Sequence, residues 1–385
     1  MDIKPRIKGF ICTTAHPEGC RRRVEEDAAV SAAERKPAGG PKRVLVIGAS
    51  AGYGLACRVT AAFAYGAETL GLSLEREEGK GRTASAGWYN NAAFAALAGD
   101  AGLRCETING DAFDPAVRAA AIERCRAFFT GGQADLVVYS LAAPRRADPV
   151  TGESWSSVIK PVGAPFTGKN IDIWTGAFSE VTLHPASDAE IAATVKVMGG
   201  EDWLTWIKAL QTAGALANGC RTVAFSYIGP EQTHAIYKDG TIGKAKEDLE
   251  RRAEQINALL SPMGGQAYVS VNKALVTQAS AAIPVVPLYI SLLYRVMKDA
   301  GLHEDCQAQA QRLFARLYPA SGAVETDENG RLRLDDWEMR PDIQAEAARR
   351  WGIVNADNVA ELADLEGYRA DFLRLFGFGP EDWGR

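Results

Sequence analysis

An apolar run followed at once by spaced glycines is the feature that most restricts how this chain can fold. Residues 43–48, RVLVIG, form a continuous apolar segment typical of a strand buried in a parallel sheet. Gly48, Gly52 and Gly54 then make a G-x3-G-x-G pattern directly before an alanine-rich helical segment. A tight strand-to-helix turn directs backbone N–H groups and the positive end of a helix at a pyrophosphate. The feature therefore predicts a dinucleotide site.

The same alternation of strand and helix continues along the chain. Strand-like segments at 68–75, 103–110 and 134–142 are separated by helical patterns that begin near residue 88 and span 115–129. Further strands at 221–229 and 266–277 flank an amphipathic helix at 242–260. This order predicts an α/β fold, a doubly wound parallel sheet of Rossmann type, as one elaborated domain over residues 1–385.

Four segments depart from the alternation. Residues 1–40 are a polar N-terminal extension, and a linker-like run, RKPAGGPKR, leads from its end into the first strand. Turns and short alternating stretches at 145–186 predict an inserted hairpin or cap. The apolar segment 278–300 is broken by Pro284 and Pro287, and 330–385 has the pattern of a helical C-terminal extension.

Composition narrows the class of protein. The chain has 47% hydrophobic and 24% charged residues, ordinary values for a soluble enzyme, and a net charge of −5 argues against nucleic-acid binding. The N-terminus lacks the apolar core of a signal peptide, and no window approaches eighteen uncharged apolar residues, so no membrane insertion is expected. Seven scattered cysteines and four scattered histidines predict a reduced, cytoplasmic chain without disulfides or a metal cluster.

Residues that follow the predicted strands are candidates for cofactor contacts. Glu75 ends the second strand, where a carboxylate would bind the adenosine ribose hydroxyls and repel a 2′-phosphate, which favours NADH. The alternative is a solvated glutamate beside Arg76, which could itself bind a 2′-phosphate. Asp111 could meet the adenine amino group, and residues 140–142 lie on the route to the nicotinamide. For each of these residues alone, a turn or packing role is about as plausible.

Two tyrosine–lysine pairs compete as the catalytic pair. The glycine turn resembles the short-chain dehydrogenase/reductase superfamily, whose usual pair is Tyr-x3-Lys on one helix. Tyr294 and Lys298 have that spacing, with Ser280 before them, but they follow the wrong strand and are expected to be neighbours on a helix flank. Tyr237 and Lys246 follow the predicted fifth strand, so the tyrosine is expected on the loop before the helix that carries the lysine. The alternative is a loop tyrosine and a surface lysine.

Several long segments in order give a more specific resemblance. IKPRIKGFICTTAHPEGC, SLAAPRR, YIGPEQTHAIYKDGTIGKAKEDLER and NKALVTQASAAIPVVPLYISLLYRVMK are similar to the FabV-type trans-2-enoyl reductases, and the likeness covers nearly the whole chain. The resemblance implies NADH-dependent reduction of the C2=C3 double bond of enoyl thioesters on acyl carrier protein or CoA, in fatty-acid biosynthesis. It also implies a monomer.

The resemblance assigns roles to individual residues. Tyr237 would be the proton donor, Lys246 its partner and Tyr227 a substrate contact, with residues 278–300 as the substrate-binding loop and helix. We further expect Lys246 to lower the pKa of Tyr237 and to hold the nicotinamide ribose. The implied NAD contacts are Gly48, Ala49, Ser50, Ala51, Gly52, Tyr53, Leu74, Glu75, Asp111, Ala112, Leu141, Ala142, Lys246, Leu275, Val276 and Thr277.

Two other functions stay open on the sequence. A carbonyl reductase or alcohol dehydrogenase of the same superfamily could use the same tyrosine and lysine, although the apolar segment after Thr277 favours an acyl chain. A non-catalytic sensor could bind NADH and a partner protein. Four cations could meet an acidic carrier protein or the phosphates of CoA, or could be solvated surface charges; they are Arg145, Arg146, Lys160 and Lys169.

Overall fold

A computed structural model describes residues 3–34, 39–79, 81–379 and 382, so residues 35–38 of the predicted linker lie outside the described part. The strands are β1 (Ile7–Lys8), β2 (Ile11–Cys12), β3 (Arg43–Ile47), β4 (Glu68–Ser73), β5 (Cys105–Asn109), β6 (Ala134–Tyr139), β7 (Arg145–Ala147), β8 (Ser154–Ser156), β9 (Phe166–Ile171), β10 (Phe178–Leu183), β11 (Leu216–Ser226), β12 (Gln266–Val271) and β13 (Arg331–Arg333).

The α-helices are α1 (Pro17–Ala33), α2 (Gly52–Val59), α3 (Ala86–Asp100), α4 (Pro115–Phe128), α5 (Asp188–Met198), α6 (Glu201–Thr212), α7 (Glu231–His234), α8 (Thr241–Leu260), α9 (Val286–Asp299), α10 (Cys306–Leu317), α11 (Pro341–Ile353), α12 (Val359–Leu362) and α13 (Leu365–Arg374). A π-helical turn, Thr60–Ala64, continues α2.

The central sheet has seven strands in the order β13-β12-β11-β6-β3-β4-β5. All of its pairings are parallel, and the chain winds in opposite directions on either side of β3 and β6. This confirms the predicted doubly wound parallel sheet. The point where the winding reverses is where open α/β sheets bind ligands, outside the carboxyl ends of the strands.

The core lies on both faces of this sheet. Val44 and Val46 of β3 pack into one apolar cluster, whereas Leu45 and Ile47 pack into the other, beside the tryptophans of α6. Since side chains alternate along a strand, an all-apolar strand must be covered by helices on both sides. The prediction that the RVLVIG segment is a strand buried in a parallel sheet is therefore confirmed.

The N-terminal extension is more regular than its composition indicated. Its described residues form the β1–β2 hairpin and the 17-residue helix α1. His16 caps that helix, because its Nδ1 accepts a hydrogen bond from the Gly19 N–H at 3.2 Å. The buried face of α1 includes small and polar residues such as Asp27 and Ser31, so no clear apolar stripe marks it in the sequence.

The insertion and the C-terminal extension confirm the predicted outline and add one element to it. Residues 145–186 contain two antiparallel hairpins, β7–β8 and β9–β10. The C-terminal extension is helical as expected, but it also contributes β13, which pairs with β12 at one edge of the sheet. Among the described residues, no helix combines the length and the apolar character needed to cross a bilayer.

Candidate active site

At the glycine turn, backbone segments approach each other so closely that a side chain at Gly48 or Gly54 would clash with a carbonyl oxygen. Gly48 has φ +88°, and a Cβ there would lie 2.1 Å from the Ser140 carbonyl oxygen. A Cβ on Gly54 would lie 1.9 Å from the Gly48 carbonyl oxygen. Helix α2 begins directly after this turn, with Ala51 as its N-cap and no side chain capping its first N–H groups. Those N–H groups are free to hold the pyrophosphate of a dinucleotide.

Glu75 is fixed by the residues around it. The hydroxyls of Ser50 and Ser85 each donate to one of its carboxylate oxygens, and its backbone N–H donates to Asn109 Oδ1 at 2.7 Å. A Cβ at Gly87 would lie 2.1 Å from Glu75 Oε1, so the carboxylate sits against the first turn of α3. A carboxylate at a helix N-terminus is electrostatically favourable, and it fits ribose hydroxyls better than a 2′-phosphate.

The predicted adenine-side residues lie beside Glu75 on the same edge. Leu74 is 68% exposed, which is unusual for a leucine in a sheet connection and suits a flat apolar ligand. Asp111 holds its own turn, since its Oδ1 accepts from the Phe113 N–H at 2.9 Å. The Ala112 carbonyl accepts from the indole of Trp206 at 3.2 Å. Leu141 is half-buried just after β6.

Lys246 points to the carboxyl end of β11 rather than to bulk solvent. Its Nζ donates to the Phe225 carbonyl oxygen at 2.8 Å. The ring of Phe225 stacks on that of Tyr53, with their centroids 5.1 Å apart. Burial lowers the pKa of Lys246 to about 8. The lysine is thus held next to the glycine turn, which supplies Tyr53.

Tyr237 lies in the turn between α7 and α8, as predicted from its spacing to Lys246. Its ring packs edge-on against Tyr227, with 4.8 Å between the centroids. Burial is the only cause acting on its pKa, and it raises that pKa. The expectation that Lys246 lowers the pKa of Tyr237 is wrong for this structure, because the lysine is bonded to Phe225 instead.

Tyr294 and Ser280 hold Leu275–Thr277, the stretch that is predicted to contact the cofactor. The Val276 N–H donates to the Tyr294 hydroxyl at 3.1 Å, and the Thr277 N–H donates to Ser280 Oγ at 2.9 Å. Lys298 is paired with Asp364 at 2.6 Å, one helical turn from Tyr294. These contacts give the Tyr294 and Ser280 hydroxyls backbone partners in the segment before α9.

Internal contacts hold three of the four cations considered for the carrier. Arg146 donates to the Lys196 carbonyl, and Lys160 pairs with Glu190. Lys169 Nζ donates to three carbonyls that follow or end α11. Arg145 is exposed on β7. Only Arg145 therefore keeps the character of an uncommitted surface charge.

Sequence reasoning missed a buried group behind Tyr227. Tyr227 donates its hydroxyl proton to Glu338 at 3.1 Å, and Glu338 follows β13 in the C-terminal extension. Lys273, also buried, donates to the Ala274 carbonyl at 3.1 Å. No local pattern marks Glu338, because 111 residues separate it from Tyr227.

A nucleotide turn, an acid that suits ribose, a buried tyrosine and a half-buried lysine all lie at the carboxyl edge of one parallel sheet. This combination defines a dinucleotide-binding protein of the Rossmann class.

The comparisons with known proteins give the family. The model of the trans-2-enoyl-CoA reductase catalytic region matches residues 82–318, and that of the NAD(P)H binding domain of trans-2-enoyl-CoA reductase matches residues 2–80. The chain belongs to the trans-2-enoyl-CoA reductase family.

Individual relatives agree with this assignment. The chain is 52% identical over 380 residues to an enoyl-acyl-carrier-protein reductase (NADH) of Coxiella burnetii, covering 98% of this chain and 93% of that one. It is 52% identical over 383 residues to a trans-2-enoyl-CoA reductase (NADH) of Ruminiclostridium cellulolyticum, covering 99% and 96%. The crystal structure of Treponema denticola trans-2-enoyl-CoA reductase in complex with NAD superposes with a TM-score of 0.94 at 48% identity, covering 98% and 95%.

A third family model, the enoyl reductase FAD binding domain, matches residues 326–382, but the described residues there do not fit a flavin. Their apolar side chains, from Leu332 to Phe378, pack into the same core as α9. The cavity beside Asp371 and Arg374 has a volume of about 50 Å³, far below the several hundred Å³ of a typical cofactor pocket.

Proposed function

We propose that this chain reduces the C2=C3 double bond of trans-2-enoyl thioesters to saturated acyl thioesters with NADH, in fatty-acid biosynthesis. The observation that carries the proposal is the buried Tyr237, packed on Tyr227. Tyr227 lies two residues after Phe225, whose carbonyl accepts from Lys246 and whose ring stacks on Tyr53 of the glycine turn. The names of the relatives, which cover both acyl carrier protein and CoA thioesters, support this substrate class.

Tyr237 has the properties of a neutral hydrogen-bond donor. NADH, when bound, supplies a hydride to C3 of the enoyl group. Negative charge then develops on the thioester oxygen, and Tyr237 would donate its hydroxyl proton toward that oxygen. Because burial raises the pKa of Tyr237, the hydroxyl stays protonated until the enolate forms. The proton ends on C2, which completes the saturated thioester.

Lys246 would act mainly on the cofactor. An ammonium group that already bonds the Phe225 carbonyl is placed to donate its remaining protons to the nicotinamide ribose hydroxyls. The other proposed cofactor contacts are the glycine turn 48–53, residues 74–75, 111–112 and 141–142, and the stretch Leu275–Thr277. The apolar helix α9 would face the acyl chain, since it buries residues such as Leu288 and Leu292 in the adjoining core.

The affinity for NADH should fall as pH rises through about 8, because burial lowers the pKa of Lys246 to about 8. The ammonium form, present below that pH, makes the ribose contacts, and one charged hydrogen bond is worth about 1.5–3 kcal/mol, or roughly 10- to 100-fold in affinity. Titration of NADH fluorescence at several pH values measures the change. Lys246→Met should bind weakly with little pH dependence, whereas Lys244→Met, an exposed lysine on the same helix, should behave as wild type. An unchanged slope in Lys246→Met would assign the titration to another group.

Glu75→Ala should shift the cofactor preference toward NADPH. It removes the carboxylate held by Ser50 and Ser85, together with its repulsion of a 2′-phosphate. We expect the ratio of kcat/KM for NADPH over NADH to rise roughly 10- to 100-fold, on the scale of one charged contact. Glu78→Ala removes the same charge from the exposed loop nearby and should leave the ratio unchanged. Equal ratios in the two variants would show that net charge, not the position of Glu75, sets the preference.

The reaction class is tested by following NADH absorbance with crotonyl-CoA and with a long-chain trans-2-enoyl carrier thioester. Oxidation of NADH with either substrate supports the proposal, and the relative rates rank carrier and chain length. Oxidation with ketones but not with enoyl thioesters would favour a carbonyl reductase. NADH binding without turnover on any of them would favour a sensor.

The proposal also includes a cytoplasmic enzyme that acts as a monomer. Gel filtration with light scattering at working concentration checks the assembly, and a mass near 41.3 kDa is expected. A stable dimer would contradict that part of the proposal without affecting the chemistry.

A further inference from the structure

Glu338 is a fully buried carboxylate that collects three hydrogen bonds. Its Oε1 accepts from the Tyr227 hydroxyl at 3.1 Å and from the Tyr289 hydroxyl at 2.7 Å. Its Oε2 accepts from the Ala274 N–H at 2.6 Å. The residue has 0% exposure. A buried charge is costly unless such donors satisfy it, so this arrangement holds all three donors in place.

Each donor belongs to a different part of the candidate site. Tyr227 packs edge-on against Tyr237, the proposed proton donor. Ala274 directly precedes the cofactor stretch, and Tyr289 lies on helix α9, which would face the acyl chain. Gln344 donates both to the Tyr289 hydroxyl and to the Glu338 carbonyl, which fixes the carboxylate further. One side chain from the C-terminal extension thus bonds the tyrosine that packs on the proposed proton donor, the residue before the proposed cofactor stretch and a tyrosine of helix α9.

The direction of the Tyr227 hydrogen bond has a chemical consequence. A phenol hydroxyl can donate one hydrogen bond, and that of Tyr227 is donated to Glu338. While it does so, Tyr227 presents only its ring and its oxygen lone pairs to the neighbouring space. Tyr237 is then the hydroxyl of this pair that can donate to a thioester oxygen, since it lies edge-on to Tyr227 and burial raises its pKa, which keeps the proton on its hydroxyl.

We propose that Glu338 is a positioning residue for the reduction: by accepting a hydrogen bond from the Tyr227 hydroxyl it fixes the aromatic wall behind Tyr237 and leaves Tyr237 as the donor to the enolate. This inference rests on the proposed function. Other acids of the same turn are differently placed. Asp335 is also buried, but it pairs with Arg333 at 2.7 Å, a contact between residues of the C-terminal extension.

The test is a double-mutant cycle on kcat with crotonyl-CoA and NADH. Glu338→Gln keeps the shape but replaces one acceptor oxygen by an NH2 group, and we expect kcat to fall roughly 10- to 100-fold. Tyr227→Phe should lose a similar amount. If Glu338 acts through Tyr227, Glu338→Gln in the Tyr227→Phe background should change kcat by no more than about threefold. Asp335→Asn is the matched control and should leave kcat within about threefold of wild type.

The dissociation constant of NADH and the melting temperature separate positioning from general structural damage. Both should stay near wild type in Glu338→Gln, so that the loss appears in kcat alone. If Glu338→Gln is unstable, Glu338→Asp replaces it. Aspartate keeps the charge but is one methylene shorter, so its carboxylate lies farther from Tyr227, and its kcat is measured alone and in the Tyr227→Phe background. Losses that multiply in the double variant, an unchanged kcat, or failure of both variants to fold would overturn the proposal.

The outcome is distinguishable from failure of the proposed function. A wild-type protein that does not reduce enoyl thioesters contradicts the function itself. An active wild type whose kcat does not respond to Glu338 contradicts only the inference.

Discussion

Replacing Tyr237 by phenylalanine is expected to lower kcat with enoyl thioesters by roughly 100- to 10,000-fold, the usual contribution of a positioned acid. The ring would stay packed on Tyr227, because that contact is between rings and needs no hydroxyl. What is lost is the hydroxyl that we propose donates to the thioester oxygen, where charge develops during hydride transfer. The binding of NADH should change little, since Lys246 and the glycine turn are untouched.

Single-turnover kinetics and NADH titration on the same preparation measure the two effects separately. Tyr318→Phe is a suitable control, because it deletes a buried hydroxyl that lacks a hydrogen-bond partner among the described residues. We expect that control to keep full activity. Undiminished turnover in Tyr237→Phe, with normal NADH affinity, would remove Tyr237 from the mechanism.

Gly54→Ala should damage the nucleotide site and the stability of the protein together. The added Cβ would lie 1.9 Å from the Gly48 carbonyl oxygen, which is backbone and cannot rotate away. The glycine turn must therefore shift, and overpacking of this kind lowers the free energy of unfolding by about 1–3 kcal/mol. Loss of even one charged hydrogen bond to the pyrophosphate weakens NADH binding roughly 10- to 100-fold.

Gly99→Ala is the matched control for this prediction. Gly99 also lies in a helix, α3, but a Cβ there would meet nothing within 4 Å. Alanine at such a position stabilises a protein by about 0.4–1 kcal/mol, mainly by restricting the unfolded chain. Thermal unfolding should therefore show a lower stability for Gly54→Ala and a slightly higher stability for Gly99→Ala. NADH titration should show weakened binding in Gly54→Ala and normal binding in Gly99→Ala. Two variants with equal NADH affinity would show that the turn tolerates the extra atom.

Local patterns were enough to predict the sheet and the nucleotide turn. The apolar run 43–48 and the glycines after it encode their structure within about a dozen residues, because a buried strand and a close backbone approach each leave a local signature. The placement of Tyr237 on the turn before α8 also followed from spacing, since eight intervening residues cannot put both side chains on one helix face.

Contacts between distant residues could not be predicted in this way. The bond from Lys246 to the Phe225 carbonyl depends on how α8 packs against β11, and the spacing of the lysine to Tyr237 does not encode it. Strand β13 is three residues long, too short for a period-two pattern to be recognised. Glu338 reads as one acid among many in DDWEMR, and only the fold reveals its tyrosine partners.

The position of β13 has a consequence for the order in which the protein is made. β13 occupies one edge of the sheet and is the last strand among the described residues, and Glu338 follows it. During synthesis the glycine turn, Glu75 and Tyr237 leave the ribosome well before β13 and Glu338 do. Since chains fold as they are synthesised, the nucleotide half can organise first, while the wall behind the proton donor waits for the final segment. A product that ended before β13 would lack Glu338, and with it the carboxylate that we propose fixes the aromatic wall behind Tyr237.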